Sequence, residues 1–277
     1  MANIQAKFIS LKTNKLLQFI VYSNLWISLG TMLLCWQVFY LNNLEINRFY
    51  LLFVFLSTLV SYTAQRLFRL KSIAEINSKV WVVQNQTTAT ILVLIGLIGS
   101  LFTLSFFISF TVIAWLIPTG IISLLYSLKR LRDVPYLKIF LIAISWGIVC
   151  GVLPFILANI FDYELIIINF LIVTSYITAI TIPFDIRDLG LDEDSKRTLP
   201  QLLGAKKAKN YGLVVLGLST LLFFATFTTS QSLSFLFSSL ISGILIYFSN
   251  EKKSDLYFTF LIDGHIILQF LLIFFFS

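Results

Sequence analysis

Long, continuous apolar runs are the feature of this sequence that most limits its fold. A helix needs about 20 apolar residues to cross a bilayer, and in lipid its backbone groups have to be satisfied within the segment. Nine such runs fit the sequence, and because they do not alternate with polar residues they favour helices over the strands of an outer-membrane barrel. The predicted spans cover residues 16–41, 48–66, 87–107, 108–127, 136–158, 163–183, 211–229, 231–249 and 256–276.

The composition supports the membrane class and a single domain. Hydrophobic residues make up 58% of the chain and charged residues only 12%, a balance that a water-soluble domain could not sustain. We therefore predict an all-α integral membrane protein, one polytopic domain over residues 1–277 with a short cytoplasmic N-terminal segment, residues 1–15. Cys35 and Cys150 fall inside predicted spans without metal-ligand spacing, which indicates small core residues.

The basic residues predict the orientation of the spans. If the N-terminus is placed inside, all of the 20 Lys and Arg residues except Arg48 fall in inside segments, as the positive-inside rule requires. We therefore expect a cytoplasmic N-terminus in an inner or plasma membrane. The net charge of +7 follows from this topology, so the bilayer explains it and a nucleic-acid partner is not needed.

The most charged segment follows the sixth predicted span and reads DIRDLGLDEDSKRTLP, from Asp185 to Pro200. Asp185, Asp188 and Asp192 are spaced i, i+3 and i+7, so on a helix they share one face. Their like charges repel, and Mg²⁺ would offset that repulsion because it prefers carboxylate oxygens together with substrate phosphates. A solvated loop with balanced acids and bases explains the spacing alone equally well.

The wider string resembles the second aspartate-rich motif of the UbiA-type intramembrane prenyltransferases, in which an Asp-x-x-Asp-x-x-x-Asp run is followed by a basic residue and Thr-Leu-Pro. YSLKRLRDVPYLK, from Tyr126 to Lys138, is similar to that family's Tyr-x-x-x-Lys/Arg segment, which contacts substrate diphosphate. LIDGHIILQ, from Leu261 to Gln269, is similar to its C-terminal pattern. The resemblance implies a nine-helix bundle with a central cavity that opens to the cytoplasmic side.

The resemblance also implies a reaction and a site. An isoprenoid chain would pass from an allylic diphosphate to a lipophilic acceptor, often an aromatic ring or a hydroxyl, with the help of Mg²⁺. Asp185, Asp188 and Asp192 would be the catalytic residues and the metal ligands. The residues expected to bind the substrate diphosphate are Arg66, Arg69, Tyr126, Lys129, Arg130 and Lys196. Gln65 and Asp263 are weaker candidates for the cavity.

The first aspartate motif of the family is missing. Where Asn-x-x-x-Asp-x-x-x-Asp is expected, the sequence reads SYTAQRLFRLK, which puts Ser61, Gln65 and Arg69 at the three positions. One hypothesis is that Arg69 neutralises the diphosphate in place of a second metal, since arginine is always charged and binds phosphate bidentately. The alternative is that the arginines only anchor the helix end and the chemistry is lost or altered.

Other functions are compatible with the same sequence features. A terpene cyclase of the same fold would use the same diphosphate, and an inactive homologue would bind isoprenoids or lipids without turnover. A small-molecule transporter is less favoured, because the sequence has neither an inverted repeat nor a matching pair of broken helices. Asp263 and His265 are two residues apart, roughly 200° around a helix, so they do not form a catalytic pair.

Replacing Arg69 with Ala tests the arginine hypothesis. The loss of a charge-assisted contact is expected to weaken isoprenoid-diphosphate binding roughly tenfold or more, measured on purified protein in detergent. Arg48→Ala, on the predicted opposite side of the membrane, is the matched control. Equal affinity of the Arg69 variant and the wild type would remove arginine substitution as an explanation.

Overall fold

A computed structural model describes residues 14–68, 77–127, 137–189 and 198–276, and every regular element in these ranges is a helix. The helices in chain order are α1 (Lys15–Tyr22), α2 (Leu25–Leu41), α3 (Arg48–Phe68), α4 (Asn77–Gln84), α5 (Gln86–Leu104), α6 (Phe110–Ser127), α7 (Leu137–Leu157), α8 (Tyr163–Arg187), α9 (Leu199–Leu203), α10 (Ala205–Thr226), α11 (Thr229–Phe248) and α12 (Tyr257–Phe276). Two of them, α7 and α12, contain π-helical segments, Gly147–Val152 and Tyr257–Ile262.

The helices confirm the all-α membrane class. Seven of the described helices, α3, α5, α7, α8, α10, α11 and α12, are long and apolar enough to cross a bilayer. The α1–α2 pair, bent by 56°, becomes an eighth crossing if it is counted as one span. The remaining predicted span corresponds to α6, whose apolar part over Phe110–Ile122 is shorter than the others. The protein is thus an integral membrane protein in which seven or eight described helices meet the length criterion.

The helix of the sixth predicted span extends beyond the end that the sequence predicts for it. We expected it to end at residue 183, but α8 continues to Arg187 and so carries Asp185 in its last turns. The reason is packing, because Ile182 and Ile186 are buried in one small cluster with Ile139 of α7. The acidic segment therefore begins on a helix that is packed on its neighbours, and not in a solvated loop.

The corner between α1 and α2 is fastened to the end of α3. Asn24 adopts a left-handed backbone conformation, with φ of 70°, and its side-chain Nδ2 donates to Thr63 Oγ1 at 3.0 Å. Thr63 Oγ1 in turn donates to the Ser23 carbonyl at 3.2 Å, and Arg66 Nη1 donates to the Tyr22 carbonyl at 2.9 Å. These bonds satisfy backbone groups exposed by the 56° bend, which lipid could not do.

Close packing of α7 on α8 depends on two glycines in the π-helical segment. A Cβ atom on Gly151 would lie 3.0 Å from the Cα of Phe170 and 3.1 Å from the Asn169 carbonyl oxygen. A Cβ atom on Gly147 would lie 2.8 Å from two ring carbons of Phe170. Small residues spaced by four are a common device for bringing membrane helices together. This contact fixes α8, and with it the helix end that carries Asp185.

Gly151→Ala is expected to destabilise the protein by about 1–3 kcal/mol, because the new methyl group meets backbone atoms of α8 that cannot move aside. The thermal unfolding of the variant in detergent micelles measures the loss. Gly217→Ala is the matched control, since a Cβ atom there meets nothing within 4 Å. Equal melting temperatures for the two variants would show that α7 and α8 do not require the close approach.

Candidate functional site

Charged side chains from three long helices and from the segment just before a fourth lie at one end of the bundle. We call this the charged end, and among the described residues it comprises Arg66, Lys138, Asp185, Arg187, Asp188 and Asp255. Arg66 belongs to α3 and Lys138 to α7, while Asp255 lies two residues before the first residue of α12. The segments that the charge pattern places on one side of the membrane thus lie together in the structure.

Asp185 is the most buried acid of the charged end. Only 1% of its side chain is exposed, and its Oδ1 atom accepts a hydrogen bond from the Nζ of Lys138 in a salt bridge. A buried carboxylate is costly unless a cation and hydrogen bonds compensate it. Lys138 provides that compensation from the first turn of α7, so this ion pair joins the ends of α7 and α8.

The guanidinium group of Arg187 contacts two carboxylates and two aromatic rings. Its Nε donates to Asp188 Oδ1 at 2.8 Å, and its Nη1 donates to Asp255 Oδ1 at 3.0 Å. Its Cζ atom also lies over the rings of Phe184 and Phe258, 5.2 and 5.6 Å from their centroids. Arg187 therefore orients the Asp188 carboxylate and links α8 to the start of α12.

Asp263 lies deeper in the bundle but interacts electrostatically with charged residues of the charged end. Arg66, Arg187, Asp255 and Asp263 all interact electrostatically with one another. Asp263 is the first residue after the π-helical segment of α12, and such segments often mark functional positions. The cavity candidate from the C-terminal pattern is thus associated with the two arginines of the charged end.

His265 has a different environment from Asp263, although only one residue separates them. Its Nδ1 lies 2.9 Å from the hydroxyl of Tyr176 and 2.8 Å from Oγ of Ser242, and its Nε2 lies 3.3 Å from Oγ of Ser238. All four side chains are buried. The single histidine is therefore packed among hydroxyl groups, as expected of an interior residue.

A small cavity lies deeper still, between α2, α8, α10, α11 and α12. Its volume is about 10 Å³, roughly that of one water molecule, and Tyr176, Phe223, Phe235 and aliphatic side chains form most of its wall. Gln269 Nε2 donates to Gln37 Oε1 at 3.2 Å beside it. This cavity faces the interior of the bundle and is separate from the charged end.

Comparison with solved structures identifies the architecture. The chain matches a digeranylgeranylglyceryl phosphate synthase structure over 94% of this chain and 99% of that one, with a TM-score of 0.57 and 16% identity. It matches the apo structure of a UbiA homologue from Aeropyrum pernix K1 over 90% of this chain and 96% of that one, with a TM-score of 0.60 and 13% identity. The chain has the UbiA fold.

No protein-family model matches the sequence, and no curated protein matches it. The two matches cover nearly the whole length of both solved chains. The expected bundle architecture is therefore confirmed, even at these low sequence identities.

Only part of the expected site can be placed on the UbiA fold. Asp185, Asp188 and Arg66 lie at the charged end, and Gln65 is partly buried on α3. Tyr126 belongs to the last turn of α6, and the placement of its side chain is not described. The other expected residues lie outside the described ranges: Arg69, Lys129, Arg130, Asp192 and Lys196.

Three members of the charged end, Lys138, Arg187 and Asp255, are not among the site residues predicted from the sequence. Lys138 and Arg187 carry positive charges of the predicted inside segments, and Lys138 also ends the segment that resembles the family's diphosphate-contacting one. A signal was available for Arg187, because it lies between two aspartates of the acidic motif. No local signal pointed to Asp255, which pairs with Arg187 across 68 residues.

The chemistry of the donor set fits Mg²⁺, but its described part is incomplete. Asp185 and Asp188 are one helical turn apart and offer carboxylate oxygens, the ligands that Mg²⁺ prefers. Within the described ranges, however, His, Cys, Asp and Glu side chains form no group of three that could hold a metal. Asp185 is bound to Lys138 and Asp188 to Arg187. Asp192, the third carboxylate of the expected set, lies outside the described residues.

Arg187→Gln is expected to destabilise the protein by about 3 kcal/mol, because Asp188 and Asp255 both lose their cation in a partly buried setting. Arg187→Lys should not restore the stability, since an ammonium group cannot reproduce the planar contacts to two acids and two rings. Thermal unfolding in detergent measures both variants. Lys253→Gln, at an exposed residue, is the control, and an Arg187→Gln variant as stable as this control would contradict the role of Arg187.

Proposed function

We propose that the protein is a UbiA-like prenyltransferase that transfers an isoprenoid chain from an allylic diphosphate to a lipophilic acceptor. The observation that supports this most is the place of the acidic motif. Asp185 and Asp188 lie at one end of a UbiA fold, paired with Lys138 and Arg187, and Arg66 interacts electrostatically with Arg187. Both solved chains that share the fold support the same class, since one is a digeranylgeranylglyceryl phosphate synthase and the other a UbiA homologue.

The proposed reaction requires the protein to stabilise the negative charge that develops on the departing diphosphate. The bond between the allylic carbon and the diphosphate oxygen breaks, the electron pair leaves with the diphosphate, and the acceptor then forms a bond to the allylic carbon and loses a proton. Fixed positive groups that face the departing diphosphate lower the barrier because they are already oriented when the charge develops. Basic residues of the charged end supply such groups, and the apolar bundle shields the allylic cation from water.

Asp185, Asp188 and Asp192 would hold Mg²⁺, which when bound would neutralise the diphosphate and bring it to the acidic helix end. Arg187 keeps the Asp188 carboxylate oriented for this task through its bonds to Asp188 and Asp255. Arg66, Arg69, Tyr126, Lys129, Arg130 and Lys196 are the proposed diphosphate ligands. Of these, Arg66 is held by the Tyr22 carbonyl and lies among the charges of Arg187, Asp255 and Asp263.

We also propose that the charged end faces the cytoplasm, in an inner or plasma membrane with the N-terminus inside. The support is the distribution of basic residues, because nearly all of them belong to segments that meet on that side. The isoprenoid diphosphate substrate would then enter from the cytoplasm, and the diphosphate product would leave to it. The apolar chain of the substrate would extend into the bundle.

A binding protein without turnover is the second candidate. The observation that favours it is that both described acids of the motif already carry an ion pair with a basic side chain of the chain itself. The missing first aspartate motif points the same way, since Ser61, Gln65 and Arg69 provide no carboxylate. Such a protein would bind isoprenoid diphosphates and leave them intact.

Diphosphate release tests these functions. Purified protein is incubated with dimethylallyl, geranyl, farnesyl or geranylgeranyl diphosphate, with Mg²⁺ or with EDTA, and with or without phenolic and alcoholic acceptors. Release that requires both Mg²⁺ and an acceptor is expected. Release without an acceptor, together with a hydrocarbon product, would indicate a terpene cyclase, and binding without release would indicate the second candidate.

Asp188→Asn is expected to lower diphosphate release by at least about 100-fold, because a proposed metal ligand is lost at the reacting group. Asp162→Asn is the matched control. Asp162 caps α8 at the opposite end of the same helix, where its side chain accepts a hydrogen bond from Leu165 N, and Asn can accept that bond as well. Release that persists in Asp188→Asn at the rate of the control would reject the proposed site.

A further inference from the structure

A group of lysines that the proposed reaction does not use lies on the same side of the bundle as the charged end. Three of them are at the start of α10, and two belong to the turn between α11 and α12. We call this group the basic edge, and it comprises Lys206, Lys207, Lys209, Lys252 and Lys253. Lys252 and Lys253 precede Asp255 of the charged end by three and two residues, which gives the side of the bundle.

One hydrogen bond joins the two halves of the basic edge. Lys209 Nζ donates to the Tyr247 carbonyl in the last turn of α11 at 3.0 Å, so the start of α10 lies against the end of α11. The turn after α11 is compact, because Lys252 N donates to Asn250 Oδ1 at 3.0 Å and Lys253 N donates to the Asn250 carbonyl at 3.1 Å. Lysines from two separate parts of the chain thus lie at one edge of the bundle.

The basic edge differs from the charged end in how its charges are compensated. Lys138 and Arg187 of the charged end contact carboxylates. In the part of the chain that the structure describes, none of the five lysines forms an ion pair with a carboxylate. Residues 205–211 and 247–254 contain one acid, Glu251, for five lysines. An excess of positive charge therefore remains at this edge for a partner from outside the chain.

The stability of α10 does not account for its lysines. The start of a helix is the positive end of its dipole, where cations are unfavourable. Lys206 and Lys209 are also three positions apart on α10 and so share a face, where like charges repel. Membrane topology needs basic residues on one side of the bilayer, but it does not need them to be clustered. Their clustering therefore indicates a ligand with negative charge.

Exposed apolar side chains next to the lysines identify the kind of anion. Tyr247 and Phe248, at the end of α11, are 61% and 56% exposed. Leu202 and Leu203 precede the lysines of α10, Tyr211 follows them, and these three side chains are exposed as well. At a membrane surface such side chains contact acyl chains, while lysine ammonium groups extend to the lipid headgroups. A small soluble anion would use only the lysines, whereas an anionic phospholipid would use both kinds of side chain.

We propose that the basic edge is a binding site for the headgroup of an anionic phospholipid. The phosphate of the headgroup accepts charge-assisted hydrogen bonds from the lysines, and the acyl chains lie along the exposed apolar side chains at the ends of α10 and α11. This inference goes beyond the proposed function. It depends neither on turnover nor on which side of the membrane the charged end faces.

The retention of labelled phosphatidylglycerol on the purified full chain in a non-ionic detergent tests this site. Unlabelled phosphatidylglycerol is expected to displace the label, and phosphatidylcholine with the same acyl chains is not. Lys207→Gln and Lys252→Gln together remove one exposed charge from each half of the basic edge. This double variant is expected to bind phosphatidylglycerol at least about tenfold more weakly than the wild type, because two charges that attract the headgroup are lost.

The matched control is the double variant Lys15→Gln and Arg48→Gln. Both residues are exposed and belong to other helices, α1 and α3, so the net charge falls by the same amount away from the basic edge. This control is expected to bind phosphatidylglycerol as tightly as the wild type does. Thermal unfolding in detergent establishes that the compared proteins are folded.

Three results would overturn the proposed site. Equal affinities of the two double variants for phosphatidylglycerol would show that the position of the lysines does not matter. Displacement of the label by phosphatidylcholine as effectively as by phosphatidylglycerol would show that the headgroup charge is not recognised. Displacement by inorganic phosphate as effectively as by phosphatidylglycerol would indicate a site for small anions and not for a lipid. None of these results bears on diphosphate release, so this proposal and the transferase proposal fail separately.

Discussion

The burial of carboxylates against basic side chains of other helices is the interaction on which this structure depends. Lys138 from α7 compensates the charge of Asp185, which lies almost fully buried at the end of α8, and Asp188 and Asp255 share Arg187 between α8 and α12. In an apolar bundle few other forces are directional enough to fix helix ends, because lipid competes little for polar groups and gives no net drive to apolar helix contacts. These ion pairs therefore fix the helix ends and the candidate site together.

The close approach of α7 and α8 makes this arrangement possible. Gly147 and Gly151 let the π-helical segment of α7 lie against Phe170, and the same two helices then present Lys138 and Asp185 to each other at the charged end. Packing in the middle of the bundle thus determines the distance between charges at its end. Substitutions far from the charged end are for this reason expected to alter it.

The altered first motif changes how the charged end can work. A family site with two clusters of acids would attract two metals, whereas here α3 contributes Arg66 and not a carboxylate, and Arg66 also fastens the corner between α1 and α2 through Tyr22. The acids in its neighbourhood are Asp255 and Asp263, both contributed by the last part of the chain. Among the described residues, the acids of the charged end are paired with the protein's own cations.

The sequence by itself determined the class of protein, the approximate limits of the helices and the acidic motif, because each depends on residues close together in the chain. Run length and hydropathy place a helix in lipid, and an i, i+3 spacing places Asp185 and Asp188 on one helix face. Only the tertiary structure decided which cation meets which acid. Lys138 and Asp185 are 47 residues apart and Arg187 and Asp255 are 68 apart. The alternation of basic segments gave their common side of the membrane, but pairing depends on which helices pack side by side, and no local pattern contains that information.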